Sequence, residues 1–423
     1  MAGRQAGREG GERGRVRRCR AGGSERSRLR RVDAGAPAGR GRGTEPARAC
    51  AARHRDLRSL PRPALTGRLV RPTEDETNVT SSLPHVVVVT PYYNRQDYVV
   101  DSVQSLVDQT YPNLTIVVMD DGSTDGTWAA MQHFADTPRV KLIRQENQGL
   151  SAALNNAIRA HPCDFVAIHG SGDYSHPTRI EKQVEFLTKN PGIVVVSCLF
   201  DNDESHNSKF HRQMSDLHPD FFTQLTRADK LGHGSIMFRR DVFDKTGGYR
   251  DFYKYAQDYD LKFRFAEHGG YAFIPEVLYV RRKLGNSVNA DFHKTLLQEY
   301  YIDLCMQAAI MRKQGLPDPV DRYGAPAAFL RKPSYFLGRR LSASGLRWRV
   351  MHKPEAGLHY IEAAKYEKLT LRSRLLVALG SLPEDSFAWR KIVRPLLRLV
   401  YDRVGERRSR GEAQARARAA TGN

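Results

Sequence analysis

Residues 86–127, which read VVVVTPYYNRQDYVVDSVQSLVDQTYPNLTIVVMDDGSTDGT, decide the fold of this chain. Two apolar runs rich in β-branched residues, 86–90 and 114–119, enclose a stretch at about 97–109 with helical spacing. Runs of this kind are typical of strands that are buried on both faces of a sheet. A strand, a helix and a second strand in this order predict two parallel strands joined by a crossover helix.

The same alternation continues along the chain. Further strands are predicted in VKLIR, DFVAIH and IVVVSC, with helices between the strands at about 125–135, 149–160 and 177–190. Strands and helices alternating at this spacing predict an α/β fold in which helices cover a parallel sheet on both sides. A strand in GSIMFRR, a helix over 257–268 and a return strand over 271–282 are expected next, and helices dominate from residue 291 onward.

Three polar segments, TPYYN, DDGSTDGT and GSGD, each follow directly after a predicted strand. Ligands of α/β sheets bind beyond the carboxyl ends of parallel strands. We therefore expect the three segments to converge on one crevice. The second segment begins with Asp120 and Asp121, and a carboxylate at the end of a buried strand needs a partner or a ligand.

The net charge of +20 belongs to the two ends of the chain. Residues 1–80 hold 20 Arg, no Lys and 9 acidic residues, whereas 81–320 hold 25 basic and 29 acidic residues. Residues 321–423 hold 22 basic and 9 acidic residues. Basic ends suit nucleic acid, but the chain lacks an aromatic RNA-binding motif and a helix-turn-helix pattern. Nucleic acid is therefore not expected as a partner.

Composition also predicts the domain organisation. Residues 1–80 contain too few apolar side chains to form a core, so they are expected to be a disordered leader, or to precede the true translation start. An α/β domain is predicted over 84–290, a helical region over 291–402 and a disordered basic tail over 403–423.

Cysteine usage and hydropathy indicate the compartment. The five cysteines are scattered without a CxxC pair, which favours a reducing cytosol over a disulfide framework or a zinc site. No run of about 18 apolar residues exists, so no membrane span is expected. The predicted helix over 386–402 is basic and amphipathic, with Pro395 expected to kink it. It either docks on its own domain or lies on an anionic membrane. The predicted localisation is the cytoplasm, and if the helix lies on a membrane, the protein is peripheral at the inner face of that membrane.

The stretch 86–127 resembles, almost position for position, the opening of family 2 glycosyltransferases of the GT-A fold. The resemblance covers about residues 84–285 and continues through ENQGLSAALNNAI, DFVAIHGSGDYSHPTRIEKQ, GHGSIMFRRDVFDKTGGYR and YAQDYDLKFRFAEHGG. It implies a Rossmann-like mixed sheet flanked by helices, here with a helical C-terminal extension. It also implies inverting transfer of a sugar from a nucleoside-diphosphate donor to a hydroxyl acceptor, in the synthesis of cell-surface polysaccharide or glycoconjugate.

The resemblance assigns the nucleotide-binding residues by position. Thr90, Pro91 and Tyr93 are expected to line the base pocket. Asp121 is expected to accept a hydrogen bond from the ring N–H of a pyrimidine, which makes a UDP- or dTDP-sugar the expected donor. Asp120 supports this segment, and His233 matches a family position on the acceptor side. The acceptor is a glycan, a lipid-linked saccharide or another hydroxyl compound.

One motif departs from the family pattern. Family members usually carry an acidic motif, often D-x-D-D, four residues ahead of a proline, whereas this chain has the frame GSGD from Gly170 to Asp173, followed by Pro177. Asp173 is expected to contact the Mg²⁺ or Mn²⁺ that bridges the donor's phosphates. Because Mg²⁺ is often held by one or two carboxylates together with substrate phosphates, one Asp can suffice. The alternative is a catalytically silent protein that binds a sugar nucleotide or a glycan.

The stretch AQDYDLKFR supplies two further carboxylates at the start of a predicted helix. Family position assigns the catalytic base to Asp258. Asp260, two residues later, points in a different direction and is expected to orient the loop by pairing with Arg264. Acids at a helix start are also favoured by the helix dipole alone.

Overall fold

The computed structural model describes residues 83–203, 220–227, 232–282, 291–351 and 353–402. The predicted leader over 1–80 and tail over 403–423 lie outside these residues.

Eight strands form one mixed sheet in the order β3-β2-β1-β4-β7-β6-β8-β5. They are β1 (Val86–Tyr92), β2 (Leu114–Asp121), β3 (Val140–Gln145), β4 (Phe165–Ile168), β5 (Tyr174–Ser175), β6 (Ile193–Asp203), β7 (Met237–Arg239) and β8 (Gly270–Arg282). Strands β1 to β4 are parallel, β7 is antiparallel to both of its neighbours, and β8 pairs in parallel with β6. The predicted α/β fold with a mixed sheet is confirmed, and the wholly parallel sheet expected from strand–helix alternation alone is wrong.

Twelve α-helices precede the last helix of the described residues, which spans 387–402. They are α1 (Val99–Val107), α2 (Thr127–Met131), α3 (Leu150–Ala160), α4 (Arg179–Lys189), α5 (Phe221–Arg227), α6 (Arg240–Thr246), α7 (Gln257–Phe265), α8 (Phe292–Lys313), α9 (Pro319–Tyr323), α10 (Tyr335–Met351), α11 (Pro354–Lys365) and α12 (Leu371–Gly380). The helices predicted between the strands and the helical region after residue 291 are confirmed.

The strand predicted in GSIMFRR is wrong over its first half. Residues His233–Ser235 form a 3-10 turn, and the strand begins only at Met237. Two glycines, at 232 and 234, flank His233, and glycine weakens a strand because it loses more backbone entropy and offers no side chain to pack. His233 lies in the turn that directly precedes β7, an interior strand of the sheet.

The valines of β1 are buried on both faces, as their pattern predicted. Val87 and Val89 pack in the core cluster that contains side chains of α3 and α7, whereas Val86 and Val88 pack in the cluster with α1 and α4. Full burial of each such side chain contributes about 1.5–3 kcal/mol. This two-sided packing holds the carboxyl ends of the parallel strands rigidly at one edge of the sheet.

The helical region shares a core with the α/β region. Ile302, Cys305 and Ala309 of α8 pack in the same cluster as residues of α7. Helices α10 to α12 have smaller clusters of their own. The division into domains over 84–290 and 291–402 stays a prediction.

One face of the last helix docks on the fold, as predicted, and another face is exposed. It spans 387–402 and contains a π-helical turn at Ala388–Val393, directly before Pro395. Proline clashes with the carbonyl four residues earlier, and a π turn is one way of accommodating such a break. Trp389 is fully buried against α10, whereas Ile392 and Leu396 are exposed. In the described part of the chain, no helix has the length and hydropathy needed to cross a bilayer.

Candidate active site

The three polar segments converge, as predicted, at the carboxyl ends of β1, β2 and β4. The backbone N–H of Asn94 donates to Ser123 over 3.0 Å, and the N–H of Thr124 donates to Asn94 Oδ1 over 2.9 Å. Ser102 at the start of α1 accepts from the N–H of Gly172 over 3.2 Å. Side-chain hydrogen bonds therefore tie the first two segments to each other and the third segment to α1.

The two acids at the end of β2 have different partners. Asp120 is fully buried, forms an ion pair with Arg144 at 3.1 Å and accepts from the N–H of Ser123. Asp121 accepts at Oδ1 from the Gln145 amide and the Gln148 N–H, and at Oδ2 from the N–H of Gly149 over 2.9 Å. Because α3 begins at Leu150, the carboxylate of Asp121 lies at a helix N-terminus, which favours its charge.

The residues assigned to the base pocket differ in exposure. Thr90 is fully buried within β1, Pro91 is partly exposed and Tyr93 is half exposed. Only Pro91 and Tyr93 therefore present side-chain surface beside Asp121 at the strand ends. Oδ2 of Asp121 has one protein donor, and a carboxylate oxygen can accept two hydrogen bonds, so it keeps an acceptor position.

Asp173 is held from β8. The Tyr279 hydroxyl donates to its Oδ2 over 2.5 Å, and the backbone N–H of Arg282 donates to its Oδ1 over 2.9 Å. Burial raises the pKa of Asp173 to about 6, although both hydrogen bonds favour the ionised form. Burial also raises the pKa of Tyr279 well above its ordinary value, so the hydroxyl stays protonated and acts as the donor. Beneath the turn, buried His169 contacts Ser102 and the carbonyl of Asp173.

The geometry of Asp173 is compatible with a divalent cation. Each carboxylate oxygen has one protein donor and keeps a second acceptor position. Among the described residues, no group of three or more His, Cys, Asp or Glu side chains could hold a metal without help. The residues present therefore fit an ion that takes most of its ligands from substrate phosphates and water.

Asp258 and Asp260 point in different directions, as their spacing predicted. The side chain of Asp258 is 16% exposed and that of Asp260 is 1% exposed. Asp258 forms an ion pair with the buried Lys262 at 2.9 Å. Burial raises the pKa of Asp258, but the Lys262 ammonium, together with His233 and a backbone hydrogen bond, outweighs burial and leaves that pKa below its ordinary value. Asp258 is thus an ionised carboxylate that still reaches the surface.

Asp260 is part of a buried charge network. Its predicted pair with Arg264 is confirmed at 2.7 Å, and Arg250 binds its other oxygen. Arg250 also binds Asp318 at 3.1 Å and Asp321 at 2.8 Å. The network thereby connects the helix of Asp258 to α9 in the helical region, and Asp260 has a structural position.

His233 lies close to Asp258, and the turn that carries it contacts the Asp173 turn. Its Nε2 is 2.8 Å from the Tyr249 hydroxyl, and it interacts electrostatically with Asp258. Burial lowers the pKa of His233 to about 4, so the ring is neutral at pH 7. The next residue, Gly234, packs so tightly that a Cβ would lie 2.1 Å from the Tyr279 hydroxyl. The His233 turn and the Asp173 turn are therefore in direct contact.

Sequence reasoning missed Lys262, Tyr279 and Arg250. Lys262 could have been found, because it lies four residues after Asp258 on the same helix face. Tyr279 and Arg250 carry no local signal, since each acts on a carboxylate from another element of the fold.

Known proteins resemble this chain over the same segments. A family model described as glycosyl transferase family 2 matches residues 87–247. The putative glycosyltransferase EpsE of Bacillus subtilis (strain 168) is 31% identical over 271 residues, which cover 60% of this chain and 94% of EpsE. The chondroitin synthase of Escherichia coli is 26% identical over 208 residues, 49% of this chain and 30% of that protein. Among solved structures, S. aureus TarS 1-349 in complex with UDP aligns at 15% identity with a TM-score of 0.44, over 79% of this chain and 91% of that chain.

The match to EpsE covers almost the whole of that protein. The family model spans the segments of Asp121, Asp173 and His233, which the fold brings to one edge of the sheet. This chain belongs to glycosyltransferase family 2.

Proposed function

We propose that this protein is an inverting glycosyltransferase that moves a sugar from a nucleoside-diphosphate donor to a hydroxyl acceptor. The observation that carries the proposal is a set of three carboxylates at the same end of the sheet, Asp121, Asp173 and Asp258. Asp121 and Asp173 each keep an acceptor position for a further hydrogen bond or a metal ion. Asp258 is partly exposed. A role in cell-surface polysaccharide or glycoconjugate synthesis is supported by a relative, the putative teichuronic acid biosynthesis glycosyltransferase TuaG of Bacillus subtilis (strain 168).

The donor binds beyond the ends of β1 and β2 in this proposal. Oδ2 of Asp121 accepts the ring N–H of uracil or thymine, and Tyr93 contacts the base. Gln145 and the backbone at 148–149 hold the Asp121 carboxylate in place, so little side-chain entropy is lost on binding. A UDP- or dTDP-sugar is the donor that this arrangement favours.

Asp173 is the residue that would hold Mg²⁺ or Mn²⁺. When bound, such an ion stabilises the negative charge that grows on the departing diphosphate. The backbone N–H of Arg282 and the Tyr279 hydroxyl keep the Asp173 carboxylate in one orientation.

Asp258 takes the proton from the acceptor hydroxyl. A base of this kind contributes roughly 10²–10⁴-fold in rate. With a single base activating the attacking hydroxyl opposite the leaving group, displacement is direct and the anomeric configuration inverts, by the same geometric logic that applies to glycosidases. The neutral His233 lies on the acceptor side of this carboxylate, and Asp260 holds the helix that carries it.

Lys262 sets the pH range of the proposed base. Because its ammonium lowers the pKa of Asp258, Lys262→Met is expected to raise that pKa and to move the acidic limb of the kcat/KM–pH profile to higher pH. Activity requires the ionised base, so it is lost as the pH falls through this raised pKa. The control is Lys245→Met, which removes an exposed lysine paired at i,i+4 with Asp241. An unchanged acidic limb in Lys262→Met would contradict the assignment of Asp258.

Calorimetry of nucleotide binding tests the proposed function directly. UDP, dTDP and GDP are titrated with and without Mn²⁺ into the wild-type protein and Asp173→Ala. We expect Mn²⁺ to strengthen binding of a pyrimidine nucleotide in the wild type and to have no effect in the variant. A nucleotide affinity that changes neither with Mn²⁺ nor with the substitution would favour the alternative, a catalytically silent binding protein.

We further propose that the last helix binds an anionic membrane that carries the acceptor. Ile392, Leu396 and Val400 are exposed on the last helix, next to exposed basic residues such as Arg398. Apolar side chains with nearby cations suit an anionic lipid surface, so we place the protein in the cytoplasm, at the inner face of the membrane. We expect the wild type to sediment with phosphatidylserine vesicles and Leu396→Glu to stay in the supernatant. Failure of the wild type to sediment would contradict this part of the proposal.

A further inference from the structure

Gly170 occupies the first position of the metal-binding turn, where family members usually carry an acid. A Cβ at this position would lie 2.3 Å from Oδ2 of Asp173 and 3.2 Å from the hydroxyl of Tyr279. A side chain at residue 170 is therefore incompatible with the observed orientation of Asp173. The space that such a side chain would enter holds the Asp173 carboxylate and, next to it, the Tyr279 hydroxyl.

The Tyr279 hydroxyl has two partners in this space. It accepts the backbone N–H of Gly170 over 2.9 Å and donates to Oδ2 of Asp173 over 2.5 Å. One hydroxyl thus links the first and the last residue of the GSGD turn. It satisfies a backbone donor that would otherwise lie unpaired near the protein interior.

The ring of Tyr279 is held from the opposite side. The guanidinium of the fully buried Arg179 lies 5.2 Å from the ring centroid, and Arg179 Nη1 donates to the carbonyl of Gly234 over 3.0 Å. A Cβ at Gly234 would collide with the Tyr279 hydroxyl. The glycines at 170 and 234 therefore leave room for this phenol, and the phenol has a single position.

We propose that Tyr279 is a positioning residue that takes over the place of the missing first acid, holding Asp173 in the one orientation in which a single carboxylate supports a nucleotide-bound cation. This inference rests on the proposed metal-assisted transfer. When a metal ion has only one protein carboxylate as a ligand, any rotational freedom of that carboxylate lowers the affinity for the ion directly. Residues that orient a metal ligand typically contribute about 10- to 100-fold to metal affinity.

The test measures the gain in nucleotide affinity on adding Mn²⁺, with the tightest binder among UDP, dTDP and GDP as the probe. Tyr279→Phe keeps the ring and removes only the hydroxyl. We expect its Mn²⁺-dependent gain to fall about 10- to 100-fold, with nucleotide affinity in the absence of metal unchanged. The matched control is Tyr271→Phe, a buried tyrosine of the same strand whose ring packs 4.6 Å from that of Phe221, and its gain should equal that of the wild type.

A second variant guards against a misfolded Tyr279→Phe. Gly170→Ala leaves the phenol in place but puts a methyl group against Oδ2 of Asp173, so it should also reduce the Mn²⁺-dependent gain. Gly192→Ala is its control, because a Cβ at Gly192 meets nothing within 4 Å.

The outcomes separate the inference from the proposed function. A wild-type gain that Asp173→Ala abolishes and that Tyr279→Phe and Gly170→Ala leave intact overturns the inference, while the proposed function stands. A wild type without any Mn²⁺-dependent gain overturns both. Tyr279→Phe could also weaken nucleotide binding equally with and without Mn²⁺. That result would give the phenol a merely structural role and would also overturn the inference.

Discussion

Asp258→Asn is expected to lower kcat by roughly 10²–10⁴-fold, which corresponds to about 3–5 kcal/mol in activation free energy. Asparagine keeps the size of the side chain but cannot take a proton from the acceptor hydroxyl. The affinity for the donor nucleotide with Mn²⁺ should stay at the wild-type value, because Asp258 lies on α7 and not on β1 or β2, which carry the residues proposed to bind the base. Steady-state kinetics with calorimetry of nucleotide binding measures both quantities.

The chain offers a matched control for this substitution. Asp241 also starts a helix and pairs with a lysine four residues later, but both side chains of this pair are exposed. Asp241→Asn should therefore leave kcat unchanged. A small loss of kcat in Asp258→Asn, within a factor of about three of the wild type, would mean that another group takes the proton.

Asp260→Ala is expected to destabilise the protein by about 3–5 kcal/mol, because removing one partner of a buried ion pair leaves uncompensated charge inside. Asp260 has a side chain only 1% exposed and holds both Arg250 and Arg264. Arg264 is itself buried, so it cannot turn to water without distorting α7. Urea unfolding followed by circular dichroism measures the change in the free energy of unfolding.

The same arginine supplies the control. Asp321 also pairs with Arg250, but its side chain is 65% exposed. Exposed pairs contribute about 0–1 kcal/mol, so Asp321→Ala should have a small effect. Equal destabilisation by the two substitutions would show that burial of Asp260 does not determine its contribution.

Much of the fold could be predicted because its signals are local. Runs such as Val86–Val89 identify strands buried on both faces, and the polar segments after them identify the edge of the sheet that holds the site. The prediction failed at 234–235, which belong to a 3-10 turn and not to the predicted strand, and it missed β5, which has only two residues.

The candidate site divides in the same way. Asp121, Asp173 and Asp258 could be assigned from short motifs, whereas their partners could not. Lys262 is the exception, because it lies one helical turn from Asp258. Tyr279 reaches Asp173 across 106 residues of sequence, and Arg250 reaches Asp318 across 68.

The amino-acid sequence by itself determined the family, the alternation of strands and helices, and the carboxylates of the proposed site. These properties follow from hydrophobic periodicity and from motifs a few residues long, which act through local backbone geometry. Only the tertiary structure decided which group orients each carboxylate, that β7 runs antiparallel, and that one face of the last helix docks while another stays exposed. These properties depend on which distant segments the strand order makes neighbours, and a local pattern contains no information about that order.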